Sequence, residues 1–431
     1  YSVFYRERYD QISDSSRLSP AAKAKTFGGE VKITELKTQT INVLMSYREL
    51  TITNSELINQ TPENTLLGRI DYELRLFKNA VTWNTFYEIG SGLEQRREFV
   101  YLEVNTGQGI YTWIDYNGDG VKDLNEFEIA QYADQASYIR VFTPSDQYVK
   151  TFSNEFNQSI YIRPERVWAS KKGILKLLSR FSDQARIRIN RKTNLFNGVD
   201  AFNPFSENIR DTNLISTAHN FRNTFYFNRT STIFGADWTF QDGRTKSLLA
   251  SGFDSKSNQF NEVKFRWNIA KKFSLESEGQ LGNKASVADY TSGRNYSIDY
   301  HYIKPSFIFQ PNTAFRISLD GRYAEKKNRE EFGDESAYVG EIGTNLKYNQ
   351  AEKGSLQGEF KVVSITYAGN QNSTLGFEML EALKPGINYT WNIGYQRLIS
   401  KNLQLSLQYN GRKSEKNKTI HSAGMEVRAF F

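Results

Sequence analysis

The chain ends in the stretch Lys418-Thr-Ile-His-Ser-Ala-Gly-Met-Glu-Val-Arg-Ala-Phe-Phe431, whose side chains alternate between two unlike faces. In an extended strand, successive side chains point to opposite faces, so every second residue lies on the same face. One face of this stretch is apolar and consists of Ala423, Met425, Val427, Ala429 and Phe431. The other face consists of Ser422, Gly424, Glu426, Arg428 and Phe430. The stretch therefore predicts a terminal strand with one apolar face that ends on an aromatic residue.

The same period of two recurs through the second half of the chain. From about residue 186 onward, segments of about ten residues alternate apolar with polar side chains, and turns separate them. One such segment has Val263, Phe265, Trp267 and Ile269 on one face and Lys264, Arg266 and Asn268 on the other. Helix faces repeat every 3.6 residues, so a period of two repeated this often indicates strands.

The connections between these segments also alternate in length. A short one lies at 400–401, whereas long polar ones lie at 242–257, 282–293, 325–335 and 368–385. Counting back from the C-terminus gives about 12 strands from near residue 181. A soluble sheet is the alternative, but it would carry a polar outer face, whereas these segments repeatedly place bulky aromatic residues on one face. We therefore predict an all-β fold, a transmembrane antiparallel β-barrel of the bacterial outer membrane.

The composition agrees with a chain that has one apolar and one wet surface. Its 431 residues include 25 Tyr and 30 Phe, yet the mean hydropathy is −0.60. No run approaches the roughly 18 apolar residues that a membrane helix needs, which excludes helical insertion. There is no Cys, which suits a chain that crosses an oxidising periplasm. The chain begins with Tyr1, so we expect a processed form or a piece of a longer protein.

The charges exclude a nucleic-acid-binding class. Lys and Arg number 55 and Asp and Glu number 48, which gives a net charge of +7, and the two signs are interspersed along the chain. A nucleic-acid site needs a basic patch or stripe, and interspersed charges do not provide one. We expect the basic residues to line a lumen and to contact outer-membrane lipid and lipopolysaccharide.

The first half of the chain has a weaker rhythm. Residues 30–36 and 40–50 predict one hairpin, and residues 66–76 and 81–89 predict another about Lys78 and Asn79. Further strands are predicted at 98–104 and 147–162, and a loop is predicted at 10–25. These strands are interpreted as more barrel staves, with an adjoining β-module as the alternative.

The predicted organisation has three parts along the chain. Residues 1–104 form N-terminal β-hairpins, residues 105–135 form an insertion with an EF-hand-like calcium loop, and residues 136–431 form the C-terminal barrel strands.

The insertion contains the one motif that indicates a metal, Asp115-Tyr-Asn-Gly-Asp-Gly-Val-Lys-Asp-Leu-Asn-Glu126. It matches the twelve-residue calcium loop, with side-chain oxygens at positions 1, 3, 5, 9 and 12 and Gly at position 6. The predicted ligands are Asp115, Asn117, Asp119, the backbone carbonyl of Val121, Asp123 and Glu126. Several carboxylates in one loop repel one another unless a cation is bound, so we predict a structural Ca²⁺, with a solvated acidic turn as the alternative. Residues 109–114 are predicted to be extended, and residues 124–133 to form a short helix.

No catalytic site is predicted. The three histidines, His219, His301 and His421, lie far apart and give no zinc spacing. Ser297, Asp299 and His301 share a strand face, where a hydrolase triad could in principle assemble. Polar residues on one face are also expected in any lumen, so the prediction is a non-enzymatic protein with no catalytic or cofactor-binding residues.

Three stretches and the C-terminus resemble large outer-membrane β-barrel proteins of Bacteroidota. They are Ser91-Gly-Leu-Glu-Gln-Arg-Arg-Glu-Phe-Val-Tyr101, Gly107-Gln-Gly-Ile-Tyr-Thr-Trp-Ile-Asp-Tyr-Asn-Gly-Asp-Gly120, Tyr138-Ile-Arg-Val-Phe-Thr-Pro144, and the ending from Gly411. The resemblance covers most of this chain, which would be the C-terminal part of such a protein. It implies an outer-membrane location and the calcium loop described above, and it implies no particular activity.

Two functions follow as hypotheses. The first is a structural or interaction subunit of an envelope complex, for secretion, surface assembly or outer-membrane protein biogenesis, with other envelope proteins as partners. The alternative is a transport barrel, a pore or gated channel for a solute or polymer. Mixed charges on the polar strand faces suit a wet lumen but also a plugged one, so the sequence leaves both open.

Overall fold

The computed structural model describes residues 1–14, 17–58, 62–194, 202–206, 213–249, 252–289, 292–415 and 417–430, with the side chains of 94–98, 144–149 and 292 excepted. The predicted terminal Phe431 lies outside the described residues. Among the described residues, no helix is long and apolar enough to cross a membrane.

Strands dominate the described chain, which confirms the all-β part of the predicted fold. The strands are β1 (Ser2–Asp14), β2 (Arg17–Ile33), β3 (Gln39–Ile52), β4 (Glu63–Leu76), β5 (Val81–Glu103), β6 (Tyr111–Trp113), β7 (Phe127–Ile129), β8 (Tyr138–Ile162), β9 (Phe181–Thr193), β10 (Leu214–Phe227), β11 (Phe234–Leu249), β12 (Gly252–Ala270), β13 (Phe273–Ala288), β14 (Tyr296–Phe309), β15 (Phe315–Asn328), β16 (Ser336–Gln350), β17 (Gly354–Ala368), β18 (Gly386–Ser400), β19 (Leu403–Ser414) and β20 (Ile420–Ala429). Short helices are α1 (Glu165–Trp168), α2 (Ile174–Leu178) and α3 (Thr374–Met379), and 3-10 turns lie at Leu124–Glu126, Ala133–Gln135 and Ser292–Arg294. From residue 181 onward the described residues form the strands β9 to β20, which agrees with the predicted count of about 12.

The chain divides into two compact units, neither of which is continuous in sequence. Unit 1 consists of Tyr1–Glu98, Pro144–Phe225 and Gln241–Ser255. Unit 2 consists of Phe99–Thr143, Tyr226–Phe240 and Lys256–Phe431.

In unit 1, β1 to β5 pair in sequence order as antiparallel neighbours, and β8 pairs with β9. The β4–β5 hairpin closes at Leu76 opposite Val81, and Phe77, Lys78 and Asn79 all adopt positive φ. Asn tolerates this left-handed conformation, and the predicted turn at Lys78 and Asn79 is confirmed.

The loop predicted at residues 10–25 is wrong, because the described residues among them, 10–14 and 17–25, belong to β1 and β2. Asp14 pairs with Arg17, and Pro20 pairs with Gln11 beside a register shift. A bulge tolerates the missing N–H of proline, so Pro20 does not end the strand. The alanines that follow, among them Ala22, are fully buried, which fixes β2 by packing instead of by its polar sequence.

In unit 2, β13 to β20 pair in sequence order as an antiparallel ladder. Several strands run further than their apolar segments predict: β13 continues to Ala288, for example, through most of the predicted connection at 282–293. Backbone hydrogen bonds form the ladder whatever the side-chain polarity, so polar residues alone do not end a strand.

The two faces of the unit 2 strands have opposite character, as the alternation predicts. Large apolar side chains are exposed on one face, for example Phe265 at 38% and Ile342 at 67%, and we call this the exposed face. The opposite face carries Val339 and Ile365, which are 0% and 2% exposed, and we call it the covered face. On β20, Met425 and Val427 of the predicted apolar face are likewise exposed.

Candidate functional site

Two segments of unit 2 lie on the covered face: residues 99–143, here called the excursion, and loop 369–385. Leu380 and Leu383 of the loop form a buried cluster with Ala324, Val339, Val363 and Ile365. Tyr132 of the excursion packs against the same cluster. A second cluster joins Leu375 and Met379 of the loop to Tyr296, Ile298 and Ala337. The covered face is therefore covered by the chain's own segments and not by solvent.

The sequence of the loop explains its compact shape. The Ser373 side chain caps α3 by accepting a hydrogen bond from the backbone N–H of Gly376 at 3.0 Å. Leu375 and Met379, four residues apart, lie on one face of the helix and are buried. Glu381 and Ala382 then adopt positive φ of 55° and 59°, which turns the chain back toward β18.

A carboxylate at this turn fastens the loop to β15. Glu381 accepts two hydrogen bonds from Arg322, at 2.6 and 3.1 Å, and one from Lys326 at 2.8 Å. Lys326 also donates to the backbone carbonyl of Met379 at 3.1 Å. Burial on its own raises the pKa of Glu381, but the charges and hydrogen bonds of Lys326 and Arg322 outweigh it and lower the pKa to about 2. Glu381 therefore stays ionised and bound to both cations at neutral pH.

The excursion is fastened through Arg412 of β19. The Arg412 guanidinium lies 2.7 Å from the Asp134 carboxylate and over the ring of Tyr132, 4.9 Å from its centroid. It also donates to the backbone carbonyl of Ala382 at 3.1 Å. One side chain thus joins β19, the excursion and loop 369–385.

A second ion pair holds the excursion near the Ser292–Arg294 turn. Arg294 lies 2.9 Å from Glu128, and both side chains are mostly buried. The Tyr116 hydroxyl donates to the same carboxylate at 3.3 Å. Burial raises the pKa of Glu128, and the charge of Arg294 opposes this shift.

The excursion has its own small aromatic core. Phe127, which is buried, stacks on Tyr101 with ring centroids 3.9 Å apart and meets the edge of Tyr138 at 5.1 Å. The short helix predicted at 124–133 is wrong: after one 3-10 turn, β7 pairs with β6, and Trp113 lies opposite Phe127. Successive side chains of a strand point to opposite sides, so β7 places Phe127 in this core and Glu128 on the other side. This packing explains why residues 127–129 form a strand instead of a helix. The prediction that 109–114 is extended is confirmed by β6.

The predicted calcium loop has a tightly turned backbone. Asp115 accepts hydrogen bonds from the backbone N–H groups of Gly118 and Gly120, at 2.6 and 2.9 Å. Asn117 accepts from the N–H of Asp119, and Asp119 accepts from that of Val121. Gly118 and Gly120 both have positive φ, of 78° and 74°. These turns place the Asn117 side chain beside that of Asp119, to which it donates a hydrogen bond at 3.0 Å.

The last predicted ligand, Glu126, is engaged elsewhere. It is 2% exposed and accepts hydrogen bonds from the Trp113 indole N–H at 2.9 Å and from the Tyr116 backbone N–H at 3.2 Å. Asp123 begins the 3-10 turn without a side-chain cap. Throughout the described part of the chain, no group of three or more Asp, Glu, His or Cys side chains is placed to hold a metal ion. The predicted ligand set also includes the Asn117 side chain and the Val121 carbonyl, and the calcium site stays a prediction.

We expect Asp115→Ala to abolish any calcium-dependent protection of residues 105–135 from protease, because Asp115 is both a predicted ligand and the hub of the loop hydrogen bonds. Digestion patterns with calcium and with chelator measure this. Asp334→Ala, which removes an exposed acid in another unit 2 loop, is the control. Identical wild-type patterns with calcium and with chelator would show that the loop holds no calcium.

The possible hydrolase triad is not assembled. Asp299 is held by Arg329 at 2.9 and 3.0 Å, and His301 faces Glu325 at 3.5 Å. Ser297 accepts a hydrogen bond from Asn283. Asp299 and His301 are exposed and lie on the strand face of Ile303, which is the exposed face and not a lumen.

Unit 1 contains a cavity that the sequence did not reveal. Its volume is about 850 Å³, within the range of small-molecule sites. Its lining includes side chains of one face of β3, β4, β5, β8 and β9, and we call this set the polar trough: Thr40, Asn42, Asp71, Glu73, Asn84, Phe86, Asn157, Ser159, Arg186 and Arg188. The opposite face of the same strands exposes apolar residues, among them Ile70 and Trp83. The alternation of polar residues in each strand was a usable signal, but only the register shows which of them meet.

The register brings these polar residues side by side. Asn42 lies opposite Asp71, and Thr40 opposite Glu73. On the next strands, Ser159 lies opposite Arg186. Polar side chains of neighbouring strands therefore meet in the cavity, whose lining also includes Ile41, Tyr72 and Ile187.

No protein-family model matches the sequence, and no curated protein matches it. Among solved structures, the chain is similar to the FrpB iron transporter from Neisseria meningitidis, with 11% identity and a TM-score of 0.42 over 91% of this chain and 61% of that chain. It is similar to the siderophore receptor PirA from Acinetobacter baumannii, with 9% identity and a TM-score of 0.41 over 94% of this chain and 64% of that chain. It is also similar to OmpF of Salmonella typhi, with 8% identity and a TM-score of 0.33 over 91% and 95%. The chain spans less than two thirds of the first two structures, and similarities at this level carry no inference about a substrate.

Proposed function

We propose that the protein is a transport barrel of the bacterial outer membrane, a gated passage for a polar solute. The observation that carries this proposal is the polar trough in unit 1, a cavity of about 850 Å³ on strands whose other face exposes Ile70 and Trp83. Strands with one apolar and one polar face are what a wall between lipid and an aqueous lumen requires. The exposed face of unit 2, with Phe265 and Ile342, would meet lipid in the same way.

The fastened segments of unit 2 support gating. The excursion is held by the pairs Arg412–Asp134 and Arg294–Glu128, and loop 369–385 is held by Glu381. Ion pairs of this kind can be replaced by contacts with water or with a partner protein. The contacts of a continuous hydrophobic core cannot be replaced in this way. The loop is also packed through buried apolar side chains, whereas the excursion adds the partly buried Tyr132 to that cluster, so the excursion is the segment that suits a gate.

Reconstitution tests the transport reading. We expect liposomes that carry the purified full-length protein to admit small polar solutes faster than empty liposomes do, because the trough offers a wet path. Light scattering during osmotic swelling measures the rate. Swelling no faster than that of empty liposomes, both for the wild type and for a variant with the Arg412 contact removed, would contradict transport.

A second candidate, the structural or interaction subunit of an envelope complex, is favoured by one observation. Leu380 and Met379 are fully buried on the covered face, and a scaffold has no need to open that face. Gentle purification from the native membrane distinguishes the two functions. Stoichiometric envelope proteins that co-purify would support the scaffold, and a lone barrel would support transport.

A further inference from the structure

We propose that the polar trough of unit 1 binds a neutral oligosaccharide, which makes a saccharide the solute of the proposed passage. The inference rests on the proposed function for its physiological meaning, but binding to the trough is tested separately.

The trough carries charges of both signs. Lys32, Arg186 and Arg188 line the cavity together with Asp71 and Glu73. Arg69 and Arg75, which are not lining residues, pair with Asp71 at 3.0 Å and with Glu73 at 2.6 Å. Attraction of an ion requires a surface dominated by one sign of charge. Neighbouring donors and acceptors of both signs instead match a neutral solute that carries both kinds of group.

Hydroxyl groups of a sugar are such groups, because each O–H both donates and accepts. Asn84, Asn157 and Ser159 provide amide and hydroxyl groups of the same dual character along the trough. Arg186 donates to the Tyr161 hydroxyl at 3.0 Å, which holds its guanidinium at the trough.

One acceptor in the trough lacks a protein donor. The Asn42 side-chain oxygen is buried and has no hydrogen-bond partner in the described structure. Asn42 lines the cavity opposite Asp71, so a rotation of its side-chain amide would bring this oxygen, which is closed to solvent as placed, to a ligand hydroxyl. A buried acceptor without a partner costs about 1–3 kcal/mol, and the rotation would recover that cost.

The trough also offers an apolar surface for the C–H groups of a sugar ring. Phe86 lies opposite Asp71 and lines the cavity. Its ring is held by Arg69, whose guanidinium lies 4.8 Å from the ring centroid. An aromatic ring beside polar groups is the arrangement that fixes a ligand with one apolar and one polar side.

Titration of the detergent-solubilised full-length protein with maltotriose, cellotriose and chitotriose tests the inference, with triglutamate and trilysine as charged probes of similar length. We expect at least one neutral trisaccharide to bind, and both charged peptides to bind more weakly. Asn42→Ala should weaken saccharide binding by about tenfold, since one hydrogen bond to a buried acceptor is at stake. Asn64→Ala, an exposed position of β4 outside the trough, should leave binding unchanged.

Thr40→Val is the second variant, because it keeps the branched shape of the side chain and removes only the hydroxyl that lines the trough. It should also weaken saccharide binding. No saccharide binding, stronger binding of a charged peptide, or equal binding by Asn42→Ala, Thr40→Val and the wild type would overturn the inference. Liposome swelling is read separately: saccharide binding without swelling would remove transport and keep the site, and swelling without saccharide binding would remove the site.

Discussion

Replacing Arg412 with alanine is expected to release the excursion from the covered face and to increase solute flux through the reconstituted protein. The change leaves the Asp134 carboxylate, which is 17% exposed, without the guanidinium 2.7 Å away. Removing one partner of a buried ion pair costs about 3–5 kcal/mol, because the remaining charge stays desolvated. The stacking on Tyr132 and the hydrogen bond to the Ala382 carbonyl are lost in the same step.

Limited proteolysis measures the release directly. A loss of about 3 kcal/mol in local stability raises the open population by about 100-fold, and cleavage within residues 99–143 should accelerate accordingly. Swelling of liposomes measures the flux. Arg412→Lys should fall between the wild type and the alanine variant, because a lysine keeps the charge but not the forked geometry.

A matched control lies on the next strand. Arg428 pairs with Glu426 at 2.8 Å, but the two side chains are 58% and 60% exposed. An exposed pair contributes at most about 1 kcal/mol, so Arg428→Ala should leave both proteolysis and flux near the wild type. Equal behaviour of Arg412→Ala and Arg428→Ala would mean that the Asp134 contact does not hold the excursion.

The strands were predictable because their signal is local. The alternation around Phe265 depends on neighbouring residues alone, and so does the turn at Lys78 and Asn79. The same logic failed where packing overrides polarity. Residues 10–25 look like a loop by composition, but 10–14 and 17–25 lie in strands, where Ala22 is buried and a register shift accommodates Pro20.

The candidate site was not predictable, because its contacts join distant residues. Arg412 and Asp134 are 278 positions apart, and neither lies in a motif. The polar trough likewise depends on register, which sets Asn42 against Asp71. The calcium motif is local and can be recognised from its spacing, and the site stays a prediction. The hydrogen bonds that buried Glu126 accepts from Trp113 and Tyr116 depend on folding and cannot be predicted from spacing.

Replacing Glu381 with glutamine is expected to loosen loop 369–385 and to remove a pH dependence from it. The substitution removes the negative charge of Glu381. Lys326 then loses its ion-pair partner, and Arg322 keeps its ion pair with Glu341, at 3.2 Å. Because Glu381 is 30% exposed, we expect the lower end of the range for buried pairs, about 3 kcal/mol of local stability. Hydrogen exchange of the loop amides measures it. Glu378→Gln is the control, since it has a single partner, Lys284, which is 41% exposed, whereas Arg322 and Lys326 are 19% and 15% exposed. We expect this single pair to contribute about 1 kcal/mol.

The sign of the pH effect follows from the lowered pKa of Glu381. The folded protein holds this pKa at about 2, below the ordinary value of 4.5, so the pairs stabilise the loop fully above pH 4.5. The stabilisation is lost as the pH falls from 4.5 toward 2, because the carboxyl must then be protonated. Wild-type flux should therefore rise over this acidic range, and Glu381→Gln should show high flux at every pH. A wild-type flux that stays constant down to pH 2, or a glutamine variant that keeps the wild-type pH profile, would show that Glu381 does not hold the gate.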